Sequence, residues 1–123
     1  MEWSYAKTNN LKMAQLDNGN GAVELTAESV GKAVDEAEVK GSGNDLSLSI
    51  KYTDTAAGAY PALLVTYEIV CSKGLDAEKT ALVKDFLTYF SSESAQGALE
   101  ELGYAPLPGS LLTKVQTAAG AIS

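Results

Sequence analysis

The order of apolar and polar residues along the chain predicts short strands separated by amphipathic helices. Residues 4–9 favour a short helix, and residues 11–16 suggest a strand with imperfect alternation that ends in the turn-forming run 17–21. A longer helix is expected after Thr26, which is a good N-cap residue. The outward residues of this helix are Asp35, Glu36 and Glu38, and its apolar face consists of Val30, Ala33, Val34 and Ala37.

The middle of the chain holds one strongly apolar segment. A half-buried strand is expected at residues 46–50, and the small turn-forming residues 52–59 are typical of a connector. After Tyr60–Pro61, the run Leu63–Cys71 is almost continuously apolar and rich in β-branched residues, which predicts a strand covered on both faces, as in a parallel sheet. The other predicted strands are too few to surround it. We therefore expect either that the chain belongs to something larger or that this strand pairs between copies.

The last third of the chain is predicted to be helical. Asp76 caps a helix whose apolar face consists of Leu82, Val83, Phe86, Leu87 and Phe90. Ser91 or the serine after it caps a helix over residues 95–102, which Gly103 closes, and Ser110 begins a final helix after a proline-containing linker. Strands alternating with helices indicate the α/β class.

The amino-acid composition excludes several classes of function. The 123 residues include sixteen acidic and nine basic ones, for a net charge of −7; all basic residues are lysine, and histidine is absent. Without histidine, the usual Ser-His-Asp and Cys-His catalytic arrangements cannot form. Without arginine, bidentate phosphate recognition and the commonest guanine contact are lost. Because an acidic surface repels phosphodiester backbones and anionic lipid, we expect no nucleic-acid partner and no membrane-surface binding.

Two further features concern location and redox chemistry. The single cysteine, Cys71, excludes an internal disulfide, and its apolar surroundings predict a buried, inert thiol. Residues 1–5 lack the charged and apolar regions of a secretory signal, and no apolar run is long enough to span a bilayer.

Four groups of residues invite a functional interpretation, and each has a simpler one. Residues 17–21 with Glu28 resemble a calcium loop in part, but two carboxylates supply too few oxygens, so a hairpin-like turn is favoured. The run 41–44 could cradle a phosphate, but no helix follows it, so we interpret it as a flexible turn. The remaining groups are the carboxylate pairs Glu36/Glu38 and Glu100/Glu101, interpreted as solvated faces, and the aromatics Trp3, Tyr5, Tyr60 and Tyr67, interpreted as packing. We therefore predict no catalytic, cofactor or metal residue, and no enzyme.

Several of these segments together resemble the phosphate-binding protein of the phosphate-specific ABC transporter, the PstS family of type 2 periplasmic binding proteins. The similar stretches, in chain order, are Glu2–Leu11, Asp17–Gly19, Thr26–Val30, Tyr60–Pro61, Lys84–Leu87, Ala95–Gln96 and Leu102–Pro108. They are spread along nearly the whole chain, from residue 2 to residue 108, and correspond to the C-terminal portion of the family. Ala27 replaces the family's common proline, and Gly109 stands where an aspartate is usual.

The resemblance implies an incomplete part of a fold with two α/β lobes, in which a mixed sheet is flanked by helices. Residues 1–58 would belong to lobe two, and residues 59–123 would cross the hinge and return to lobe one. The family's phosphate-contacting residues all precede this portion, so none can be assigned to the chain. This implies a C-terminal fragment of an extracytoplasmic phosphate carrier that serves an ABC permease and binds phosphate weakly or not at all by itself. The alternative is a self-associating structural or interaction module, a homo-oligomer paired through unpaired strand edges and with no ligand of its own.

Overall fold

The computed structural model describes residues 2–123, which form five helices and four strands of two residues each. The helices are α1 (Trp3–Thr8), α2 (Ala27–Asp35), α3 (Ala77–Phe90), α4 (Glu93–Leu99) and α5 (Gly109–Gly120). The strands are β1 (Leu16–Asp17), β2 (Ala22–Val23), β3 (Glu38–Val39) and β4 (Leu48–Ser49). Helices and small antiparallel sheets agree with the predicted α/β class, whereas the expected mixed sheet is not formed within the described residues.

The first sheet is a hairpin at the predicted turn. Leu16 lies opposite Val23 and Asp17 lies opposite Ala22, so the two strands run antiparallel. The predicted turn at residues 17–21 is therefore confirmed. The strand expected over the preceding residues is formed only at its last position, because nothing pairs with the earlier ones.

The second sheet corrects the predicted end of helix α2. The helix ends at Asp35, and Glu38, which we had placed on the outward face of that helix, lies opposite Ser49 in the β3–β4 pair. A strand of two residues is too short to show a period in the sequence, so the pattern could not reveal it. The strand predicted over residues 46–50 is formed only at β4.

Helix α2 begins where predicted because Thr26 caps it. The Thr26 hydroxyl accepts a hydrogen bond from the Ser29 amide at 3.1 Å, and the Ser29 hydroxyl accepts one from the Thr26 amide at 3.0 Å. This reciprocal pair is a capping box. The Ser29 hydroxyl also donates to the Glu24 carbonyl at 2.6 Å. Val30 and Ala33 are buried on the predicted apolar face of the helix.

The buried core is built mainly from small side chains. Its apolar members are Ala6, Val30, Ala33, Ala59, Tyr60, Leu111, Ala119 and Ile122. Tyr60 is the only aromatic residue among them and joins three segments. Its amide donates to the Ser29 carbonyl in α2 at 2.9 Å, and its hydroxyl donates to the Ala14 carbonyl before β1 at 3.2 Å. Tyr60 therefore links the end of the connector to α2 and to the segment before β1.

The prediction of a buried strand at Leu63–Cys71 is wrong for this structure. Residues 61–71 have no regular secondary structure, and the side chains of Leu64 and Ile69 are 87% and 92% exposed. A strand buried on both faces needs strands beside it, and each sheet here contains only two, paired with each other. The Cys71 thiol, which we expected to be buried, is exposed for the same reason.

Helix α3 begins at its predicted cap, but its predicted apolar face is not covered. Asp76 accepts a hydrogen bond from the Lys79 amide at 2.8 Å. The helix packs against α4 and α5, yet none of its residues is buried. Of the predicted face, Val83 and Leu87 are half-buried. The remaining face residues, Leu82, Phe86 and Phe90, are exposed.

Side-chain amides join the last two helices. Ser92 caps α4 by accepting a hydrogen bond from the Ala95 amide at 3.2 Å, which decides between the two serines considered. Gln96 is buried, donates to the Phe90 carbonyl at 3.0 Å and accepts from the Leu107 amide at 2.9 Å. The linker before α5 is therefore fixed to α4.

A close backbone contact joins helix α1 to the end of α4. The α4 helix ends at Leu99, earlier than predicted, and Gly103 follows in a turn with a φ of +81°. A Cβ atom on Gly103 would lie 2.5 Å from the Cα atom of Ser4, so only glycine fits there. The Lys7 ammonium group donates to the Glu100 carbonyl at 2.7 Å across the same contact.

Candidate functional site

The loop at the first hairpin uses its carboxylate to hold its own backbone. The Asp17 carboxylate accepts hydrogen bonds from the amides of Gly19 and Gly21 at 2.9 and 3.2 Å. The second carboxylate of the calcium-loop interpretation, Glu28, forms an ion pair with Lys32 at 2.9 Å. Both groups are already engaged within the chain, as expected for a structural turn.

The loop at residues 41–44 borders an open groove of about 320 Å³ against helix α5. Its lining consists of Val39, Gly43, Asn44, Leu46, Thr113, Lys114 and Thr117. The hydroxyls of Thr113 and Thr117 donate to carbonyls of their own helix at 2.9 Å, so they have no proton left for an anion. The turn interpretation of the loop therefore fits the geometry better than a phosphate cradle.

The structure separates the two carboxylates that the sequence places close together. Glu36 accepts a hydrogen bond from the Ala56 amide at 2.8 Å and so fixes the connector. Glu38 lies on β3 and pairs with the ammonium group of Lys40. Glu100 and its neighbour are exposed in the turn after α4. Glu36 and Glu38 thus have different partners and do not act as a pair.

Every carboxyl pKa that is shifted in the described residues is lowered. Hydrogen bonds from the side chains of Lys32 and Lys40 lower the pKa of Glu28 and of Glu38. Hydrogen bonds from Ser47 and Lys79, first from the side chains and then from the backbone amides, lower the pKa of Asp45 and of Asp76. A general acid at neutral pH needs a raised pKa instead. Carboxyl groups with such lowered pKa values are suited to capping helices and forming ion pairs.

The four aromatic residues singled out in the sequence do not form a stacking platform. Tyr60 is buried in the core. The Tyr67 hydroxyl accepts a hydrogen bond from the Leu48 amide at 2.9 Å. Trp3 is half-buried, with the Lys7 ammonium group 6.0 Å from its ring centroid, and Tyr5 is exposed. Each aromatic residue thus has a different environment.

Sequence reasoning missed a cluster of hydrogen bonds that fixes the connector, residues 52–59. The amide group of Asn18 donates to the Thr55 hydroxyl at 3.1 Å, and that of Asn20 donates to the Thr55 carbonyl at 3.0 Å. Thr55 is only 4% exposed. These partners lie 35 and 37 positions apart in the chain, so no local pattern signals their contact.

The main exposed feature of the molecule is its apolar surface. We define residues 64–71 as the open segment. Its exposed large apolar side chains are Leu64, Tyr67, Ile69 and Val70. The solvent-accessible area of the chain is 8067 Å², whereas a compact monomer of this mass exposes about 6,300 Å². The chain thus exposes about 1,800 Å² more than a compact monomer of its mass.

Helix α3 adds a second apolar stripe. Leu82, Phe86, Tyr89 and Phe90 lie at positions i, i+4, i+7 and i+8, which share one face of a helix, and all four are exposed. The rings of Phe86 and Phe90 are stacked with centroids 5.9 Å apart. A stripe with this spacing is typical of a helix that packs on a neighbouring layer.

Neither a metal-binding cluster nor a membrane-spanning helix is present in residues 2–123. Among residues 2–123, no three side chains of the His, Cys, Asp and Glu types are grouped so that they could hold a metal ion. None of the helices in the described part of the chain has the length and apolarity needed to cross a bilayer.

Two mycobacterial phosphate-binding proteins match nearly the whole chain. The chain is 42% identical to the phosphate-binding protein PstS2 of Mycobacterium bovis (strain BCG / Pasteur 1173P2), with 99% of this chain and 34% of that protein covered. It is 38% identical to the phosphate-binding protein PstS 3 of Mycobacterium leprae (strain TN), with the same shares covered. The chain thus spans about a third of the length of the curated relatives it matches.

A family model agrees with these relatives. The model described as the PBP superfamily domain matches residues 1–94, which include both hairpins, the connector and the whole of helix α3. The resemblance to the PstS family seen in the sequence is confirmed by relatives that match over nearly the whole chain. The chain therefore belongs to the PBP superfamily.

Proposed function

We propose that the chain is the C-terminal portion of an extracytoplasmic phosphate-binding protein that delivers phosphate to an ABC permease. The observation that carries this proposal is the 42% identity to a phosphate-binding protein over 99% of the chain. In this role the chain supplies framework rather than ligand contacts. The absence of arginine from the sequence and the internally engaged carboxylates support that division of labour.

We further propose that residues 1–58 belong to one lobe and that residues 59–123 cross the hinge and return to the other lobe. The dense hydrogen bonding of Thr55 and Tyr60 supports a boundary close to the end of the connector. Up to this point the polypeptide is tied to the first hairpin and to α2, and beyond it the open segment begins.

The proposed protein is a carrier and not an enzyme. A carrier must bind and release its ligand unchanged, so it needs neither a nucleophile nor a general acid. The lowered carboxyl pKa values are compatible with this role. The exposed Cys71 has no neighbouring histidine that could activate it, because the chain contains none.

A chimera tests the proposal. The chain replaces the matching third of PstS2 from Mycobacterium bovis, and the binding of inorganic phosphate is measured by isothermal titration calorimetry. We expect the chimera to bind phosphate within about tenfold of the parent affinity, a difference of about 1.4 kcal/mol, because the ligand contacts remain intact. The isolated chain serves as the control and is expected to give no binding heat.

Two results would contradict the proposal. The first is a folded chimera, judged by circular dichroism and a cooperative melt, that no longer binds phosphate. The second is phosphate binding by the isolated chain with an affinity close to that of the parent, since the chain would then hold a complete ligand site of its own.

A further inference from the structure

The loop of the first hairpin carries two successive Asn-Gly pairs, which the proposed function does not use. Asn18 precedes Gly19 and Asn20 precedes Gly21, and no other asparagine in the sequence is followed by glycine. Asparagine is one of the chemically labile residues, and a following glycine hinders its reaction least because glycine has no side chain. Gly19, Asn20 and Gly21 are exposed, so water reaches the loop.

The reaction open to such a pair is deamidation through ring closure. At Asn20 the Gly21 nitrogen loses its proton and attacks the Cγ atom of the side chain. A bond forms between that nitrogen and Cγ, the bond from Cγ to Nδ2 breaks, and ammonia leaves with the displaced proton. Water then opens the ring at either of its carbonyl groups, returns a proton to the nitrogen, and gives aspartate or isoaspartate. The chain and water supply every atom.

The Asp17 carboxylate binds the two amides whose nitrogens would attack. Its Oδ1 atom accepts hydrogen bonds from the Gly19 amide at 2.9 Å and from the Gly21 amide at 3.2 Å. The negative charge opposes the loss of a proton from a nitrogen beside it, because like charges close together disfavour ionisation. Asp17 therefore slows ring closure at both pairs. The longer of the two bonds belongs to Gly21, so the second pair is held less firmly.

The two asparagine side chains also differ in how they are held. Asn18 is half-buried, and its amide group donates to the Tyr52 carbonyl at 3.3 Å and to the Thr55 hydroxyl at 3.1 Å. Asn20 is exposed, and its amide group donates to the Thr55 carbonyl at 3.0 Å. Ring closure has to take the side chain out of these bonds. Asn18 is therefore the better protected residue, although glycine follows both.

We propose that Asn20 is a site of spontaneous deamidation, and that Asp17 is the positioning residue that limits its rate. The product carries a carboxylate in place of the amide group that donates to the Thr55 carbonyl. A carboxylate has no proton to donate, so the tie between Asn20 and the connector is lost. Deamidation thus loosens the connector as the protein ages, whether or not the chain serves a phosphate carrier.

Peptide mapping by mass spectrometry, during incubation of the chain at neutral pH, tests the site. In chain unfolded by guanidinium, Asn18 and Asn20 are expected to react at similar rates, because glycine follows each. In the folded chain, Asn20 is expected to react about fivefold faster than Asn18, the factor for one additional hydrogen bond. Asn44 is exposed and followed by aspartate, and serves as the internal control that stays intact. Equal rates in the folded chain, or a faster reaction at Asn18, would overturn the proposal.

Two variants of Asp17 test its role. Asp17→Ala is expected to speed the reaction of Asn20 by at least about tenfold, because a hydrogen bond to a charged acceptor is lost. Asp17→Asn keeps an acceptor without the charge and should give an intermediate rate. An unchanged rate in Asp17→Ala would overturn the assigned role. A slower rate would overturn it too, since the carboxylate would then promote ring closure by taking up the proton.

Thr55→Val distinguishes these contacts from a general loosening of the hairpin. It removes the hydroxyl bonded to Asn18 and keeps the carbonyl bonded to Asn20. Asn18 is expected to react about fivefold faster in this variant, while the rate of Asn20 stays the same. Equal acceleration at both asparagines would overturn the proposal, because the rates would then follow the stability of the hairpin as a whole. If the isolated chain shows no cooperative melt, the same comparisons are made in the chimera described above.

Asn20→Asp imitates one product and tests the effect on the connector. Its melting temperature is expected to fall by about 4 °C, because the bond to the Thr55 carbonyl is lost. Asn20→Gln keeps a side-chain amide and is the matched control. A melting temperature of Asn20→Asp equal to that of the unsubstituted chain would overturn the proposed loosening.

Discussion

Thr55 illustrates how single polar side chains hold this molecule together. It is a nearly fully buried polar residue of a connector without regular structure, and its hydroxyl and carbonyl are both satisfied by asparagines of the first hairpin. A buried polar group without such a partner would cost folding free energy. Hydrogen bonds from these two asparagines therefore stabilise the connector more than its own turn-forming residues do.

Asn18→Ala should reduce the free energy of unfolding by about 1 kcal/mol, because the Thr55 hydroxyl loses its donor while remaining buried. Urea unfolding followed by circular dichroism measures this loss. Asn44→Ala is the control, since the Asn44 side chain is exposed and makes no hydrogen bond to the described residues. Combined with Thr55→Val, the loss caused by Asn18→Ala should largely disappear. Simple addition of the two losses would contradict the assigned contact.

The carboxyl groups predict a loss of stability in acid. The pKa of Glu28 is lowered from its ordinary value of 4.5, and that of Asp76 from 3.8, so the unfolded chain binds more protons in this range. The contribution is complete above about pH 4.5 and disappears as the pH falls through the folded-state pKa values. We expect a melting temperature that is steady at neutral pH and declines below about pH 4.5.

The variant Asp76→Asn isolates one of these carboxyl groups. Asparagine still accepts the hydrogen bond from the Lys79 amide but does not titrate, so the decline in acid should become shallower. Glu101→Gln removes an exposed carboxylate that makes no hydrogen bond within residues 2–123 and serves as the comparison. Melting curves between pH 3 and pH 7 give the result. An unchanged slope for Asp76→Asn would show that this cap is not linked to proton uptake.

Hydrogen bonds between residues that are close together in the sequence could be predicted. Thr26 and Asp76 were identified as N-caps, because a cap and the amide it accepts from lie three positions apart. The contact of Asn18 with Thr55 spans 37 positions and has no sequence signature. The absence of a catalytic site stays a prediction, since it rests on residue types that the chain lacks.

At the scale of elements, the contact between α1 and the turn after α4 depends on one glycine. Gly103 has a φ of +81° and approaches Ser4 closely, whereas Gly74 has a similar φ of +86° and nothing within 4 Å of its Cβ position. The two glycines share the same backbone requirement and differ only in their surroundings. Substitutions at the two positions can therefore separate the free-energy cost of backbone strain from that of a steric clash.

Gly103→Ala should destabilise the chain more than Gly74→Ala. Each substitution costs about 1 kcal/mol of backbone strain at positive φ. At Gly103 the added methyl group also overlaps the Ser4 backbone, which adds about 1–3 kcal/mol. Chemical denaturation of both variants measures the difference. Equal losses would mean that α1 does not rest on this turn in solution.

The elements also show where sequence patterns stop being informative. The hairpin turn and the starts of α2 and α3 follow from local residues, and all three are confirmed. Strand β3 was missed, because two residues show no period. The burial predicted for Leu63–Cys71 and for the α3 face was wrong, since a pattern indicates which residues can be covered and not whether a covering layer is present in the chain.

For the whole molecule, the dominant property is the imbalance between a small core and a large apolar surface. Most buried apolar positions hold alanine or another small side chain, while fourteen large apolar residues among residues 2–123 are exposed. Burial contributes about 25 cal/mol per Å² of apolar surface, so alanines stabilise the fold less than the exposed leucines and phenylalanines would. The isolated chain is therefore expected to be marginally stable.

The open segment should bind a hydrophobic dye such as ANS. Leu64→Gln combined with Ile69→Gln is expected to reduce the dye fluorescence by about half without lowering the melting temperature, because both side chains are almost fully exposed. Val30→Gln is the contrasting variant. It places a polar group in the core, and should lower the melting temperature and increase dye binding. A fall in melting temperature for the double variant would show that the segment is packed in solution.

Tyr60 also determines where the polypeptide can bend. Its amide donates a hydrogen bond to the Ser29 carbonyl in α2, and its hydroxyl donates one to the Ala14 carbonyl. The neighbouring Pro61 is buried. Turning the chain at this point would break both ties at once. Ala62, which is exposed, is the first residue beyond this anchored pair. A bend at Ala62 would leave both ties of Tyr60 intact, whereas the contact of α1 with the turn after α4 would have to open before the parts on either side of Ala62 could separate.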